Sequence, residues 1–468
     1  MKSMDKSYEA IMARRNEILL KSVGLDYKEF ENGGIGFDFE KMMDSTGYDY
    51  DLMETIQRDN GVGNTPLLEL KNITKLARKY AKPGYGAKIL LKDEACNASG
   101  SFKARRASIS VYHAKKLGFK GVIAATSGNY GAAVASQAAK HGLKCIIVQE
   151  CYDSELKGQP EIIEKARKCE AFGAEVVRLT VGPELFYQLL LLLEETGYFN
   201  ASLYTPFGIG GVETLGYELA IQTKRKYGKF PDSVVCTNAG GGNLTGTARG
   251  LLRANAGSLL IAASVNLSGL HMASDKDFNK KSFTTGHTGF GIPFSINPDR
   301  SDVPRSAGRP LRYMDEYYTV SQGEVFFVTE MLAELEGLER GPAGNTSLAV
   351  AFSLSQKMKE DEIIVVQETE YTGAGKHIQP QLSFAIENGI NVEFGNPKDE
   401  VPGKSIILPR NPSLINARKL NIDDLRKSYL RSVIKVHSLT KSNLVDTDYL
   451  CEELRIDKNK LEKLLGEI

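Results

Sequence analysis

Short apolar runs alternate with helical segments along most of this chain, and this alternation restricts the possible folds more than any other feature. The runs are Lys88–Lys92, Gly121–Ala125, Leu143–Gln149, Ala174–Leu179, Ser233–Asn238, Ser258–Val265 and Glu362–Gln367. They are continuous and rich in valine and isoleucine, which is typical of parallel strands buried on both faces. Because helix-like segments separate them, we predict an α/β fold with parallel sheets covered by helices.

Composition and charge argue against several classes of protein. Lysine plus arginine number 59 and aspartate plus glutamate 58, so the net charge of +1 gives no signal for nucleic acid or an acidic membrane. We find no apolar stretch of about 18 residues and no secretory signal. The six cysteines form no CxxC pair and no cluster with metal-ligand spacing. We therefore expect a cytoplasmic protein that binds no nucleic acid, membrane or metal.

A lysine lies where the first strand passes into a helix. The segment SGSFKARRA, residues 99–107, places Lys103 at this junction. If Ser101 is the N-cap, Lys103 lies in the first helical turn, where the positive end of the helix dipole disfavours an ammonium ion. Burial would lower the lysine pKa further, and a neutral amine can attack a carbonyl carbon. A surface lysine at a helix start is the commoner explanation when such a residue is taken alone.

Three further strand ends carry polar or glycine-rich loops. The loop TSGNYG (126–131) offers hydroxyls, a carboxamide and backbone N–H groups at a helix start. The loop NAGGGNLTG (238–246) has three consecutive glycines that can surround a phosphate, without the Walker lysine or dinucleotide spacing. The loop QETEYTGAGKH (367–377) contains Glu368 and Glu370, and carboxylates at a strand end are more often solvated than catalytic. We expect these loops to meet in one crevice, at the carboxyl ends of the strands.

A phosphate-binding loop and an amine-bearing loop together indicate pyridoxal 5′-phosphate. The motifs GNTPLLEL, SGSFKARRA, TSGNYGAAVA and NAGGGNLTG, in this order, resemble the fold type II pyridoxal-phosphate enzymes, such as threonine synthase, cysteine synthase and tryptophan synthase β. The resemblance spans about residues 60–380 and implies two parallel-sheet α/β domains with the cofactor in the cleft between them. We expect a larger domain (61–110 and 205–400), a smaller domain (111–204), an N-terminal helical extension (1–60) and a C-terminal helical region (401–468).

The resemblance also implies roles for individual residues. Lys103 would attach the cofactor and act as the catalytic base, Asn129 would hydrogen-bond the phenolic oxygen, and Thr372 would face the pyridine nitrogen. The cofactor phosphate would be held by Gly240, Gly241, Gly242, Asn243 and Leu244. The substrate carboxylate would be received by Thr126, Ser127 and Gly128. The chain departs from the family pattern at Ala98, where a proline is usual, and at Ala104, where an acidic residue is usual.

Over its whole length, the chain resembles the β subunits of 2-amino-4-ketopentanoate thiolases, which are acyltransferases of ornithine degradation. The resembling segments include SYEAIMARRNEIL, GIGFDFEKMM and ELEGLERGPAGNTSLA. This resemblance implies cleavage of 2-amino-4-ketopentanoate with coenzyme A to acetyl-CoA and alanine, together with a small α subunit. We also expect a homo-oligomer of the β subunit. One alternative is a lyase or β-replacement enzyme of the same fold, such as threonine synthase or diaminopropionate ammonia-lyase. Another is a non-catalytic subunit, but such a subunit would have lost the lysine or the phosphate loop.

Three other features have weaker functional interpretations. The reaction requires a group that stabilises the alkoxide at C4 of the substrate, and His287 is a candidate, although a lone loop histidine is more often structural. Cys96 lies near the lysine loop, but free cysteines are usually small buried apolar residues, so we expect no catalytic cysteine. The amphipathic segment Thr447–Leu465 predicts helix that either docks another subunit or packs on this chain.

Overall fold

The computed structural model describes residues 5–126, 128–268, 281–284, 302–371, 378–439 and 446–468. Its α-helices are α1 (Tyr8–Ala13), α2 (Arg15–Val23), α3 (Phe39–Ser45), α4 (Tyr50–Asp59), α5 (Lys71–Tyr80), α6 (Lys103–Lys116), α7 (Asn129–His141), α8 (Pro160–Ala171), α9 (Glu184–Thr196), α10 (Pro206–Tyr227), α11 (Gly242–Arg253), α12 (Gln322–Glu336), α13 (Pro342–Ser355), α14 (Ile378–Glu387), α15 (Ile422–Val436), α16 (Thr447–Leu454) and α17 (Lys458–Gly466). Its strands are β1 (Leu67–Glu69), β2 (Lys88–Asp93), β3 (Gly121–Thr126), β4 (Lys144–Tyr152), β5 (Glu175–Thr180), β6 (Phe199–Asn200), β7 (Ser233–Thr237), β8 (Leu259–Val265), β9 (Glu316–Val320), β10 (Ile363–Glu368), β11 (Asn391–Gly395), β12 (Ser405–Pro409) and β13 (Arg418–Lys419).

The larger sheet has seven strands in the order β1-β2-β10-β7-β8-β9-β13. Its five central strands are parallel, and β1 and β13 pair antiparallel at the two edges. Both faces are buried: Val234 and Cys236 of β7 pack on one side of the sheet and Val235 packs on the other. This double burial explains why the strands are continuous apolar runs rather than alternating ones.

Helices cover both faces of the larger sheet. Helices α10, α11 and α15 to α17 pack on one face, and α5, α12 and α13 pack on the other. The amphipathic C-terminal segment forms two helices, α16 and α17, separated where Arg455 adopts a left-handed φ of 53°. Leu450, Leu454, Leu461 and Leu464 are buried in the same core as α10 and α11. The apolar side of this segment therefore packs on its own chain.

The smaller sheet has four parallel strands in the order β5-β4-β3-β6. Helices α1, α2 and α9 cover one face, and α6 and α7 contribute to the core on the other. The N-terminal segment is helical, as predicted, and its first two helices complete the burial of β3 and β4. Strands β11 and β12 form a separate two-stranded parallel sheet.

All seven predicted strands are present, and most of their ends agree within one residue. The sequence analysis did not predict β1, β6, β9, β11, β12 and β13. Most of these strands are short or lie at sheet edges, so their own residues carry little periodic signal. Whether such segments form strands depends on pairing with neighbouring strands. The division into domains remains a proposal. Within the described residues, no helix is both long and apolar enough to cross a membrane.

Candidate active site

The lysine loop begins where β2 ends and passes directly into α6. Helix α6 begins at Lys103, and its N-cap is Phe102, which makes no side-chain capping bond. Ser101, which the sequence offered as a possible N-cap, therefore does not cap this helix. Ser101 instead forms an isolated antiparallel bridge with Glu370, and the Phe102 N–H donates to the Thr369 carbonyl oxygen at 3.1 Å. These bonds join the lysine loop to the segment after β10 and leave Lys103 in the first helical turn, as expected.

The environment of Lys103 favours a neutral amine. Burial lowers the pKa of this lysine to about 7, whereas nearby Glu370 raises the pKa and nearby Arg106 and Lys165 lower it. Burial is thus the main cause, as the sequence suggested, and the ammonium form keeps a favourable contact 4.5 Å from the centroid of the Phe102 ring. An amine with this pKa can exchange a proton near neutral pH.

A buried ion network anchors α6 two residues beyond the lysine. Arg105 donates to both carboxylate oxygens of Glu94, at 2.7 and 2.8 Å, and to Glu218 at 3.0 Å. Lys92 donates to Glu218 at 2.5 Å, and the Thr65 hydroxyl donates to Glu94 at 2.6 Å. Two cations and two carboxylates neutralise one another, so the start of α6 is held by charge-assisted hydrogen bonds. The sequence analysis did not predict this network, because its members come from distant segments.

Glu368, the last residue of β10, and Glu370, two residues later, are fully buried, so the expectation of solvated carboxylates is wrong. Glu368 and Glu370 are each 0% exposed, and none of their carboxylate oxygens has a hydrogen-bond partner among the described residues. They pack against Gly344 and Gly341 at the N-terminus of α13, where a Cβ would collide with them. Burial raises the pKa of Glu368 well above 4.5, and the neighbouring Glu370 acts in the same direction.

The glycine loop lies at the N-terminus of α11. This helix begins at Gly242, and Gly241 is its N-cap with a left-handed φ of 81°. Arg106 from the lysine helix lies against this loop, because a Cβ at Gly242 would be 2.5 Å from Arg106 Nη2. Asn243 is buried, and both polar atoms of its amide lack partners among the described residues. Sequence reasoning missed Arg106. The one signal that could have indicated Arg106 is a second arginine, next to Arg105, in a helix whose other residues are mostly buried.

The remaining predicted loop, TSGNYG (126–131), belongs to the smaller sheet. Thr126 ends β3, and its hydroxyl accepts the Gly128 N–H at 3.0 Å. Helix α7 begins at Asn129, whose side-chain oxygen is buried without a partner in the described part of the chain. These side chains make no hydrogen bond to the other three loops within the described ranges. Of the remaining candidates, Ser127, Thr372 and His287 lie outside the described residues.

Helix α8 brings two more lysines to the lysine loop. Lys165 is buried and donates to Glu161 at 2.5 Å, while Lys168 donates to the backbone carbonyl oxygen of Ser99 at 2.8 Å. Burial acts to lower the pKa of both lysines. The charges of Glu161 and Glu370 outweigh it at Lys165, whose pKa is raised, whereas the pKa of Lys168 stays lowered although Glu370 acts to raise it. The region around Lys103 therefore combines several cations with the buried carboxylates of Glu370 and Glu161. The sequence analysis did not single out these two residues.

These residues fit a cofactor that carries a phosphate and an amine-reactive group. The glycine loop presents helix N-terminal N–H groups together with a buried arginine, which suits a phosphate. Both polar atoms of the Asn243 amide and the side-chain oxygen of Asn129 have no partner among the described residues and can bond a ligand. Lys103 supplies an amine whose pKa is about 7. Among the described residues, no cluster of histidine, cysteine, aspartate or glutamate is arranged to hold a metal ion.

Comparison with known proteins identifies the family. The family model described as "Pyridoxal-phosphate dependent enzyme" matches residues 58–370. A 2-amino-4-ketopentanoate thiolase beta subunit of Acetoanaerobium sticklandii is 68% identical over 466 residues, covering 100% of this chain and 99% of that protein. A beta subunit of the same name, from an unknown prokaryotic organism, is 62% identical over 465 residues, covering 99% of this chain and 98% of that protein.

A solved structure supports the same fold. A threonine deaminase from the organism abbreviated T.th. has a TM-score of 0.52 and 25% identity, covering 70% of this chain and 99% of that chain. The fold type II architecture predicted from the motifs is therefore confirmed, as is the dependence on pyridoxal phosphate. This chain is an enzyme that belongs to the pyridoxal-phosphate dependent family and, within it, to the family of the 2-amino-4-ketopentanoate thiolase beta subunits.

Proposed function

We propose that this chain cleaves 2-amino-4-ketopentanoate with coenzyme A to acetyl-CoA and alanine, as the β subunit of a two-component enzyme of ornithine degradation. The observation that carries the proposal is the extent of the 68% identity, which covers 100% of the chain. The cofactor family accounts only for residues 58–370. The match therefore includes the N-terminal and C-terminal segments, which enzymes of the same fold with other reactions need not share.

The overall reaction balances without an oxidant or a metal. The sulfur of the coenzyme A thiol bonds to C4 of the substrate, and the C3–C4 bond breaks. The thiol proton is lost to the enzyme or solvent, and C3 gains a proton. The acetyl group leaves as acetyl-CoA, and the remaining three carbons, with the amine and carboxylate, form alanine.

Pyridoxal phosphate, when bound, supplies an aldehyde that condenses with amines and a ring that accepts electron density from the neighbouring carbon. Lys103 is the residue we assign to hold the cofactor and to move protons to and from the substrate through Nζ. With a pKa of about 7, this amine is suited to accept a proton near neutral pH and return it later. Glu370 would regulate this exchange, because its charge raises the pKa of Lys103.

We assign the other groups of the cofactor and substrate to residues of the predicted loops. The glycine loop, with Asn243 and Leu244, would hold the phosphate at the start of α11. Asn129 would donate to the phenolic oxygen through the N–H of its side-chain amide. The substrate carboxylate would bind at the start of α7, through Thr126, Ser127 and Gly128. Thr372 would face the pyridine nitrogen. A hydroxyl at that position, rather than a carboxylate, would leave the ring less protonated and weaken its acceptance of electrons.

No cysteine of the enzyme is required, because coenzyme A brings its own thiol. Cys96 is exposed near the lysine loop and donates to Asp93 at 3.2 Å. Partial burial and this carboxylate raise the pKa of the Cys96 thiol, so it is a poor nucleophile. We therefore assign the attack on C4 to coenzyme A. We also propose that a small α subunit takes part and that the β subunit forms a homo-oligomer in the cytoplasm.

A product assay tests the proposal. The purified chain, alone and with its small partner, is incubated with 2-amino-4-ketopentanoate and coenzyme A, and acetyl-CoA and alanine are quantified. We expect equal amounts of both products, dependent on coenzyme A and lost in Lys103→Ala. Lys144→Ala is the control, since Lys144 is an exposed lysine on β4, and it should retain activity. Products that appear only with the partner would place part of the thiol site on the α subunit.

The assay also separates the alternative reaction. A chain that binds the cofactor but forms neither product would contradict thiolytic cleavage. Amino acids with a leaving group at the β carbon would then be tested for release of ammonia and a keto acid. That result would favour the lyase or β-replacement enzymes, such as threonine synthase or diaminopropionate ammonia-lyase, which share the cofactor loops.

A further inference from the structure

Arg106 is a buried cation without a carboxylate partner in the part of the chain that the structure describes. It is 2% exposed, its Nη1 donates to the Leu203 carbonyl oxygen at 3.2 Å, and its Nε has no partner among the described residues. Its neighbour Arg105 is also buried but is fully paired with two carboxylates. An unpaired charge inside a protein is costly unless another ion compensates it. The molecule therefore maintains a positive charge at this place that its described side chains do not neutralise.

The position of this charge indicates what would compensate it. The Arg106 guanidinium lies against Gly242, the first residue of α11, and its Nη2 would be 2.5 Å from a Cβ there. The rings of Phe102 and Tyr204 flank it, with centroids 5.4 and 5.9 Å from its central carbon. The first N–H groups of α11 have no partner within the helix, and they carry the positive end of its dipole. Arginine and helix terminus thus converge on one small volume, and both favour an anion.

We infer that Arg106 is a direct ligand of the cofactor phosphate. Backbone N–H groups at a helix start donate hydrogen bonds but carry only partial charge. A guanidinium adds a full positive charge and a planar pair of donors that matches phosphate oxygens. Arg106 would bind the phosphate as a dianion and make the site selective for phosphorylated pyridoxal. The inference depends on the cofactor family alone, and it holds whichever substrate the enzyme cleaves.

The test compares cofactor binding by the apoprotein and its variants. Arg106→Met removes the charge with little change of length, Arg106→Lys keeps the charge, and Arg105→Met serves as the matched control. Dissociation constants are measured by absorbance titration with pyridoxal phosphate and with pyridoxal, which lacks the phosphate. In Arg106→Met we expect pyridoxal phosphate to bind about 10- to 100-fold more weakly, with the affinity for pyridoxal nearly unchanged. Arg106→Lys should restore part of the loss.

Thermal unfolding of the same apoproteins separates a ligand from a structural residue. Removal of an uncompensated buried charge should leave the midpoint of apo Arg106→Met equal to or above that of wild type. The midpoint of Arg105→Met should fall, because two carboxylates lose their partner. Inorganic phosphate should stabilise the wild-type apoprotein more than potassium chloride of equal ionic strength does, and this difference should be much smaller in Arg106→Met.

Two results would overturn the inference. Unchanged affinity of Arg106→Met for pyridoxal phosphate would show that the arginine does not contact the phosphate. An equal loss of affinity for pyridoxal phosphate and pyridoxal, with a lowered apo midpoint, would show that the arginine only supports the fold. If Arg106→Met does not fold, the phosphate experiment on wild type and Arg106→Lys decides: absence of stabilisation by phosphate in both proteins would exclude an anion site. None of these readouts depends on thiolase activity.

Discussion

Tyr371 donates its backbone N–H to the carbonyl oxygen of Gly100 at 2.7 Å, so the loop that carries Lys103 is bonded to the segment after β10 of the larger sheet. Gly100 has a left-handed φ of 75°, and a Cβ there would collide with the Tyr371 carbonyl oxygen. The two segments lie more than 250 residues apart in sequence. Their close approach fixes the distance between Lys103 and the buried glutamates, and the first two predictions depend on it.

Gly100→Ala should destabilise the protein more than an alanine at another left-handed glycine. Gly84, with φ of 81° and no atom near its Cβ position among the described residues, provides the control. A left-handed backbone costs about 1 kcal/mol in Gly84→Ala. Overpacking adds about 1–3 kcal/mol, so we expect a loss of about 2–4 kcal/mol in Gly100→Ala. Urea unfolding measures both variants, and equal losses would contradict a close approach between the two segments.

The reactivity of Lys103 should depend on pH around neutrality. Since burial lowers its pKa to about 7, acylation of Lys103 in the apoprotein should reach half its maximal rate near that pH. The carboxylate of Glu370 favours the ammonium form of Lys103, so its loss in Glu370→Gln should shift the midpoint to lower pH. Glu368→Gln is the matched control, with an unchanged midpoint expected. Competitive labelling with acetic anhydride, read by mass spectrometry of the Lys103 peptide, measures each midpoint. A shift in the control as large as in Glu370→Gln would refute the specific effect of Glu370.

The buried carboxyl of Glu368 should make stability depend on pH. Burial raises its pKa well above 4.5, so the folded protein retains a proton that the unfolded chain releases. The contribution of this group to the free energy of unfolding therefore falls as pH rises from about 4.5 to its folded pKa. Glu368→Gln removes this dependence and should become more stable relative to wild type over that range. Urea unfolding at several pH values measures the difference, and Glu387→Gln, at an exposed site, should show none.

The ion network behind Lys103 should be strongly coupled. Removing either Arg105 or Glu94 leaves an uncompensated buried charge, so Arg105→Met and Glu94→Gln should each cost about 3–5 kcal/mol. The double variant should cost clearly less than the sum, because both changes remove the same ion pair. A double-mutant cycle in urea measures the coupling. Additive losses would mean that the two side chains act independently, despite the 2.7 Å hydrogen bond between them.

Several features of the site were predictable from sequence because they depend on neighbouring residues. The apolar run of Lys88–Lys92 predicts a buried strand, and the lysine that follows it falls in the first turn of a helix as expected. The glycines before Asn243 predict a helix start with exposed N–H groups, and a helix does begin there. The absence of a cap from Ser101 was not predictable in the same way, because its pairing partner Glu370 lies far away in the sequence.

The sequence by itself determined the α/β class, most of the central strands and the four loops, because strand periodicity and loop chemistry are local properties of the chain. Only the tertiary structure decided which side chains surround those loops. The burial of Glu370 depends on packing against Gly341. The charge of Arg106 lies at the start of α11 because this side chain packs against Gly242. Solvation and electrostatic neighbours set the chemistry of both residues, and these depend on groups that are distant in sequence.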